Sequence, residues 1–365
     1  MLVHHYYPSA SSNVGDSLVA YAIHKALRRT LGPLDIVPIP VNPRHAKVGE
    51  VTGLLETNVQ RSNCEADLLV VGGSNLLEPR KMSRRTLRQQ NWHWGVETRV
   101  EALEQIRVPL VLVGMGTGSD WAAPILPYTA KAASEVRVLF QKAIATAVRD
   151  EPTRQELLKL GISTTCTGCP VTFLTDRPVQ ADLEKPLIVS LPPARILKSW
   201  SGRWFMYQTM NYIRWLIQRG VDFLVTLHER ADLEFAPKWL PRGLPTFYTE
   251  EVSELIGRYE ESSGVIGFRL HAALLALGLG KPIVPVNVDW RGRGFTHTFG
   301  LQDVALEPGT WGGFQKLRHE TVSHLQGESE LTRRLREQKA TYQRRFENFL
   351  TQVAQQFKQA SRIAA

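Results

Sequence analysis

Arg269-Leu270-His271 stand where the apolar run Val265-Ile266-Gly267-Phe268 gives way to the small-residue run from Ala272 to Gly278. A strand that turns into a helix at this point sets a guanidinium and an imidazole at the crevice where open α/β sheets bind ligands. Arginine offers a planar fork to a carboxylate or phosphate, and histidine is the side chain whose charge changes most easily near neutral pH. The pair suits an anionic substrate that must gain a proton.

Other groups have the same placement at the ends of apolar runs. Asn13-Val14-Gly15-Asp16 precedes a helical pattern. Asn13 there either caps the helix or, with Gly15 allowing close approach, helps its amides receive an anion while Asp16 orients a hydroxyl. Val70-Val71 ends in Gly72-Gly73-Ser74-Asn75, and Gly114-Met115-Gly116-Thr117-Gly118 repeats the theme. Neither has the lysine of a P-loop or the third glycine of a dinucleotide fingerprint, so they are cleft candidates or plain strand-end turns. Arg149, before Asp150-Glu151-Pro152, either pairs with its acidic neighbours or adds a second cation to the cleft. His228 opens His228-Glu229-Arg230-Ala231-Asp232, a segment that reads equally as a solvated loop and as part of a site.

The elements needed to position these groups follow from short apolar runs alternating with helical patterns, the signature of βα units and a parallel sheet. Strands are predicted at Leu2–Tyr7, Ile36–Ile39, Leu68–Val71, Leu110–Val113, Ile144–Val148 and Thr164–Cys166. Helices are predicted at Ser17–Leu31, Glu97–Ile106, Ala130–Phe140 and Pro152–Leu160. Asp176 to Pro186, rich in charge and holding two prolines, reads as a linker. Beyond it, strands are predicted at Leu187–Leu191, Val221–Leu227, Thr246–Tyr248, Val265–Phe268 and Ile283–Val288. The tail places Leu335, Tyr342, Phe346, Phe349, Leu350, Val353 and Phe357 on one helical face. The expected fold is α/β: two Rossmann-like domains (1–176 and 187–328), a linker (177–186) and a closing helix (329–365).

With 365 residues, 43% hydrophobic and 22% charged, the composition is that of a globular protein large enough for two domains. The formal charge of +9 favours anionic partners. No secretory leader is recognisable and no run reaches the roughly 18 apolar residues of a membrane span, which makes a cytoplasmic protein the expectation. Basic residues are available for peripheral contact with the inner face of the plasma membrane. Arg80, Lys81, Arg84, Arg85 and Arg88, followed by Asn91-Trp92-His93-Trp94, suit a charged carbohydrate or a solvated loop. They match no nucleic-acid reader motif, and no nucleic-acid partner is expected. Arg291-Gly292-Arg293-Gly294-Phe295 reads as a flexible loop at the cleft rim. Cys166 and Cys169 form one CxxC without the second pair a zinc ribbon needs, and no metal ligand set is evident.

Taken in order, Asn-x-Gly-Asp, the Gly-Gly strand end, Gly-x-Gly, Arg-Asp-Glu, Gly-Cys-Pro-x-Thr and Arg-Leu-His before Gly-Lys-Pro resemble the polysaccharide pyruvyl transferase family from about Asn13 to Asp289. The Cys169-Pro170 pair stands where many relatives carry Asp-Pro. The resemblance implies a GT-B-like pair of domains, the first on the acceptor side and the second on the donor side. It implies transfer of a pyruvyl group from phosphoenolpyruvate to a sugar of a cell-surface or exopolysaccharide precursor, lipid- or nucleotide-linked, giving a ketal without a resident cofactor. Arg149 and Arg269 would hold the donor, with Leu270 also at the substrate; His271 would act as acid or stabilise charge on the departing phosphate, and Asp16 as base or sugar-orienting group. Asn13, Gly15, Gly72, Gly73, Ser74, Gly116 and His228 would line the substrate site. A nucleotide-sugar glycosyltransferase or a non-catalytic glycan-binding protein would use the same architecture.

Overall fold

The computed structural model describes residues 1–9, 13–43, 46–47, 50–78, 94–118, 127–307, 312–327 and 330–364. Among these, the strands form two all-parallel sheets. The first contains β1 (Leu2–Tyr7), β2 (Asp35–Pro40), β3 (Leu68–Gly72), β4 (Leu110–Met115), β5 (Ala145–Val148) and β6 (Thr165–Cys166), in the order β2-β1-β3-β4-β5-β6. Every residue of β3 and β4 is buried, as continuous apolar runs in the middle of a parallel sheet require. Pro38 and Pro40 fall on β2, an edge strand, where a missing N–H costs the ladder least.

The second sheet contains β7 (Leu187–Ser190), β8 (Phe223–Leu227), β9 (Thr246–Tyr248), β10 (Gly264–Gly267) and β11 (Ile283–Pro285), in the order β11-β10-β7-β8-β9. Each sheet therefore reverses its direction of winding once, between β1 and β3 in the first and between β7 and β10 in the second. Ligands of open α/β sheets bind outside the carboxyl ends of strands at such reversals. The four loops there begin at Pro8, Gly73, Leu191 and Phe268, and three of them carry residues singled out by the sequence.

The described helices are α1 (Val14–Leu31), α2 (Glu56–Glu65), α3 (Val100–Glu104), α4 (Ala130–Lys142), α5 (Glu151–Lys159), α6 (Trp200–Gln218), α7 (Arg230–Trp239), α8 (Val252–Glu260), α9 (Leu270–Gly278), α10 (Trp290–Thr298), α11 (Gly313–Leu325) and α12 (Glu330–Ala364). The helix expected over Glu97–Ile106 shortens to α3. Leu54 takes Glu97 O as acceptor and forms a bridge with Thr98, so these two residues are held extended. Residues 291–295, expected as a loop, belong to α10. Asp289 caps that helix, its Oδ1 accepting from the N–H groups of Arg291 (3.0 Å) and Gly292 (3.2 Å).

Two helices join the halves. In α9 every residue from His271 to Gly278 is buried, and the helix packs on both β10 and the short 3-10 turn Pro170–Phe173. A Cβ at Gly278 would stand 2.0 Å from the Val171 carbonyl oxygen, so the close approach needs glycine. Returning from the second half, α12 packs on α1, β5 and β11. It buries Leu335, Tyr342, Phe346, Phe349, Leu350 and Val353, with Phe357 half-buried, the face that periodicity predicts. Residues 176–186 run without helix or strand beneath it, held by Lys339 Nζ donating to Arg177 O and Gln180 N donating to Gly280 O.

Candidate active site

Arg269 is the N-cap residue of α9, delivered by β10. Its Nε donates to Leu191 O (3.0 Å), one terminal nitrogen to Glu229 (2.7 Å) and the other to both oxygens of Asp232 (2.6 and 2.5 Å). Asp232 is fully buried and also accepts the N–H groups of His228 and Glu229, which fixes the start of α7. The segment from His228 to Asp232 is therefore an ion-paired corner, not a solvated loop. The fork of Arg269 meets carboxylates of its own chain, and the guanidinium clamps the end of β7, the end of β8 and the start of α9 together.

Beside it lies a cleft lined by Asn13, Arg195, Arg269, Leu270, His271, Asp289 and Arg291, among others. Arg195 reaches Glu229 (3.4 Å) and Asp289 (3.6 Å), while Arg291 Nε donates to Asp289 (2.8 Å). Burial works to raise the pKa of Glu229, but the charges of Arg269 and Arg195 outweigh it and hold the carboxyl below its ordinary value. Asp289 is likewise held down, against burial, by Arg291 and Arg195. The cavity wall is a lattice of alternating charges, in which an entering anion competes with Glu229 and Asp289 for the guanidinium groups.

A second, smaller cavity is lined by Arg149, Asp150, Cys169, Leu270, Arg291 and Phe295, with Leu274 and Phe299. Leu270 and Arg291 line both cavities, so Arg149 and the Arg-Leu-His corner face adjoining cavities. Arg149 leaves the end of β5, is 5% exposed, and donates to Asn75 and to Asp150 (3.4 Å). The glycine turns put it there. Gly73 and Ser74 have φ of 73° and 74°, Ser74 being the one non-glycine with positive φ among the described residues. Ser74 O accepts from Gly116 N (3.1 Å), which ties the two glycine turns together and aims Asn75 at the guanidinium. A Cβ at Gly116 would lie 2.4 Å from Arg149 Nε, and one at Gly72 would lie 2.0 Å from Val113 O. These glycines admit neighbours that any side chain would displace.

His271 is buried where the halves meet. Burial, then Arg291, Arg149, His228 and Arg269, drive its pKa well below 6.5, so the imidazole is neutral at pH 7. This opposes the expectation of a standing acid. His228, fully buried, is lowered to about 3 by burial and Arg269. Its Nε2 meets the Tyr259 hydroxyl at 2.9 Å and its Nδ1 has no hydrogen-bond partner among the described residues. Asn13 caps α1 through Gly15 N (3.0 Å) and pairs across the halves with Glu229 as an antiparallel bridge. Asp16, one position beyond Gly15, is half-buried and lines neither cavity.

Four groups of the site escaped sequence reasoning in whole or part: Arg195, Glu229, Asp232 and Asp289. Their common signal is position two to five residues beyond the end of a strand. Conversely, Trp94, grouped by sequence with the basic run, is buried and donates to Glu135 Oε2 (2.9 Å). The rest of that run, residues 80–93, lies outside the described residues. Cys166 and Cys169 are buried free thiols. Burial pushes both up in pKa, Cys169 to about 11, which keeps them protonated and unreactive at neutral pH.

The family model for polysaccharide pyruvyl transferases matches residues 13–289, from the cap of α1 to the cap of α10. The chain belongs to the polysaccharide pyruvyl transferase family. No curated protein matches it by sequence. Among solved structures, S. aureus MnaA with UDP aligns over 91% of each chain at 13% identity and a TM-score of 0.52. The Neisseria meningitidis UDP-GlcNAc 2-epimerase bound to UDP-GlcNAc aligns over 93% of this chain and 98% of its own, at 10% identity and 0.50. The α,α-trehalose 6-phosphate synthase of Burkholderia multivorans aligns over 100% and 98%, at 11% and 0.50. At these identities the likeness is one of fold: this pyruvyl transferase family member has the GT-B-like pair of Rossmann-like units that its motif order implies. No described helix is long and apolar enough to cross a membrane.

Proposed function

We propose that the protein transfers the pyruvyl group of phosphoenolpyruvate to two hydroxyls of a sugar in a cell-surface or exopolysaccharide precursor, forming a cyclic ketal. The observation that carries this reading is the meeting of Arg149, Arg195, Arg291 and His271 around adjoining cavities at the switch points of both sheets. Phosphoenolpyruvate brings a carboxylate and a phosphate, each suited to guanidinium groups. It arrives at a site whose arginines are balanced by Glu229 and Asp289, and it would take over part of that pairing.

Burial is the first cause of His271's lowered pKa and the arginines are the next; neutralising them removes that second part, and the donor's own negative charge beside the ring opposes the first. With the donor bound, His271 takes up a proton and passes it to the methylene carbon, which becomes a methyl while the adjacent carbon gains oxocarbenium character. The first sugar hydroxyl bonds to that carbon and gives up its proton. Phosphate then leaves with the electron pair of the C–O bond, and the second hydroxyl closes the ketal and loses its own proton. One proton enters the methyl group and two leave the sugar, one of them regenerating His271 and the other departing as part of hydrogen phosphate. Glu229 and Asp289, ionised and at the cavity wall, would relay these protons from the sugar hydroxyls, and Asp16, off that wall, would be left the sugar-orienting role.

Calorimetric titration with phosphoenolpyruvate, beside UDP-sugars and with an Arg149→Ala variant, tests the donor. Saturable phosphoenolpyruvate binding that the variant loses is the expected result. UDP-sugar binding without it would replace pyruvyl transfer by glycosyl transfer.

A further inference from the structure

Helix α6 begins five residues after Arg195 and carries Trp200, Trp204 and Tyr207 on its outer face. Trp200 is 78% exposed, Trp204 48% and Tyr207 47%. The opposite face buries Phe205, Met206, Met210, Ile213 and Leu216, so the helix has its core contact and the aromatic row is additional to it. Three large aromatics left in water on one helix are an unusual expenditure of apolar surface for a soluble domain.

The rings stand like rungs. Trp200 and Trp204 are 6.3 Å apart with planes 8° from parallel, and Trp204 and Tyr207 are 5.5 Å apart at 24°. Four residues of helix rise about 6 Å, so the three rings follow one another along a single exposed side of the helix. Exposed amphipathic rings, each with an apolar body and a polar indole N–H or phenol O–H, match the headgroup boundary of a bilayer.

Charge adds a separate argument. From Pro186 to Val221 there is no Asp or Glu, while Arg195, Lys198, Arg203, Arg214 and Arg219 all fall in this interval. Lys198, Arg203 and Arg214 are exposed around the aromatic row. The Nε of Arg203 donates to Leu197 O (2.9 Å), which holds the side chain near the start of the helix. Aromatic insertion and a basic surround are the two signals that together hold a peripheral protein on an anionic leaflet.

We infer that the outer face of α6, centred on Trp200, Trp204 and Tyr207, docks the protein on an anionic phospholipid surface. The row starts about 10 Å of 3-10 chain from Arg195 at the cavity, counting about 2 Å per residue. A precursor held in the same leaflet would then be presented near the site. The inference does not depend on the donor's identity.

Co-sedimentation of the full-length protein with vesicles of phosphatidylcholine alone and of phosphatidylcholine with phosphatidylglycerol tests it. Binding is expected only with the anionic vesicles, weakening as salt is raised. It should fall on the order of tenfold or more in a Trp200→Ala/Trp204→Ala/Tyr207→Ala variant and in a Lys198→Glu/Arg203→Glu variant. Both variants change exposed side chains and should keep the parent's melting temperature and phosphoenolpyruvate titration. Absence of binding to anionic vesicles, or binding indifferent to both variants, would overturn the inference. So would an aromatic variant that still binds vesicles but loses affinity for soluble polysaccharide, which would make the row a sugar platform. A negative vesicle result leaves the donor titration untouched, so the two readings fail separately.

Discussion

The imidazole of His271 lies on the backbone of Gly15, so close that a methyl group there would stand 1.8 Å from its Nδ1. One residue opens α1 at the first sheet's switch point and the other opens α9 at the second's, so this contact brings the two halves together at the reacting region. It cannot be relieved by swinging a flexible side chain, because the ring is buried and α9 is packed on both halves. Gly15→Ala should therefore part the halves or turn the imidazole. Misplacement of about 1 Å costs on the order of 10²-fold in turnover. Steady-state kinetics should show kcat down by about that factor with the fold intact by circular dichroism, and a kcat within about twofold of the parent would refute the contact as functional.

Proton uptake on donor binding follows from the state of His271. Its pKa lies well below 6.5, chiefly through burial and then through Arg291, Arg149, His228 and Arg269. An anion that neutralises the arginines raises it, so the complex holds more protons than its separated parts. By linkage, donor affinity should then fall as pH rises through the pKa of the complex. Titrations near pH 7 in buffers of different ionisation enthalpy should report net uptake approaching one proton. His271→Gln should abolish that part, with the variant also cancelling the donor phosphate's own titration. Uptake unchanged in the variant would remove His271 as the proton's destination.

Removing the fork of Arg269 should be felt first in stability. Asp232 is fully buried and is left unpaired in Arg269→Met; breaking a buried pair in this way costs about 3–5 kcal/mol. Arg269→Lys keeps the charge and loses the two-pronged geometry, and should fall between parent and Met variant. Urea unfolding of the three proteins checks the order. A parent-like Met variant would show that the corner is held by packing alone.

How far the sequence discloses this molecule depends on the range over which each residue's role is decided. β3 and β4 are legible because burial on both faces demands unbroken apolar runs, and α12 because one helical face must cover both halves. The Arg-Leu-His corner is legible because strand, turn and helix signals coincide within a few residues. Asp232 is not, since its meaning comes from Arg269, 37 positions away. In α10, Gly292 and Gly294 read as loop residues. They are there because a Cβ would press on Asn287 and Asp150 at 3.2 Å, a requirement of close packing. Asp16 is legible only as a member of the Asn13-Val14-Gly15-Asp16 motif; the first turn of α1 carries it off the cavity wall.

Glu229 offers a test that separates donor holding from catalysis. Its carboxylate contacts Arg269 at 2.7 Å and Arg195 at 3.4 Å, and its backbone pairs with Asn13 of the other half. Glu229→Gln keeps the shape and the backbone bridge and deletes the charge that competes with an entering anion. Donor binding should tighten, by about threefold to tenfold, since one unit of local charge seen through a partly solvated site is worth about a kcal/mol. If Glu229 also removes a proton from a sugar hydroxyl, turnover should fall on the order of 10²-fold or more in the same variant. Tighter donor binding with lower kcat is the expected pair of outcomes, read from calorimetry and from phosphate release. Weaker donor binding would mean that Glu229 orients Arg195 and Arg269 for the anion, and unchanged kcat would pass the role of base to Asp289, whose isosteric Asn variant is then the next to measure.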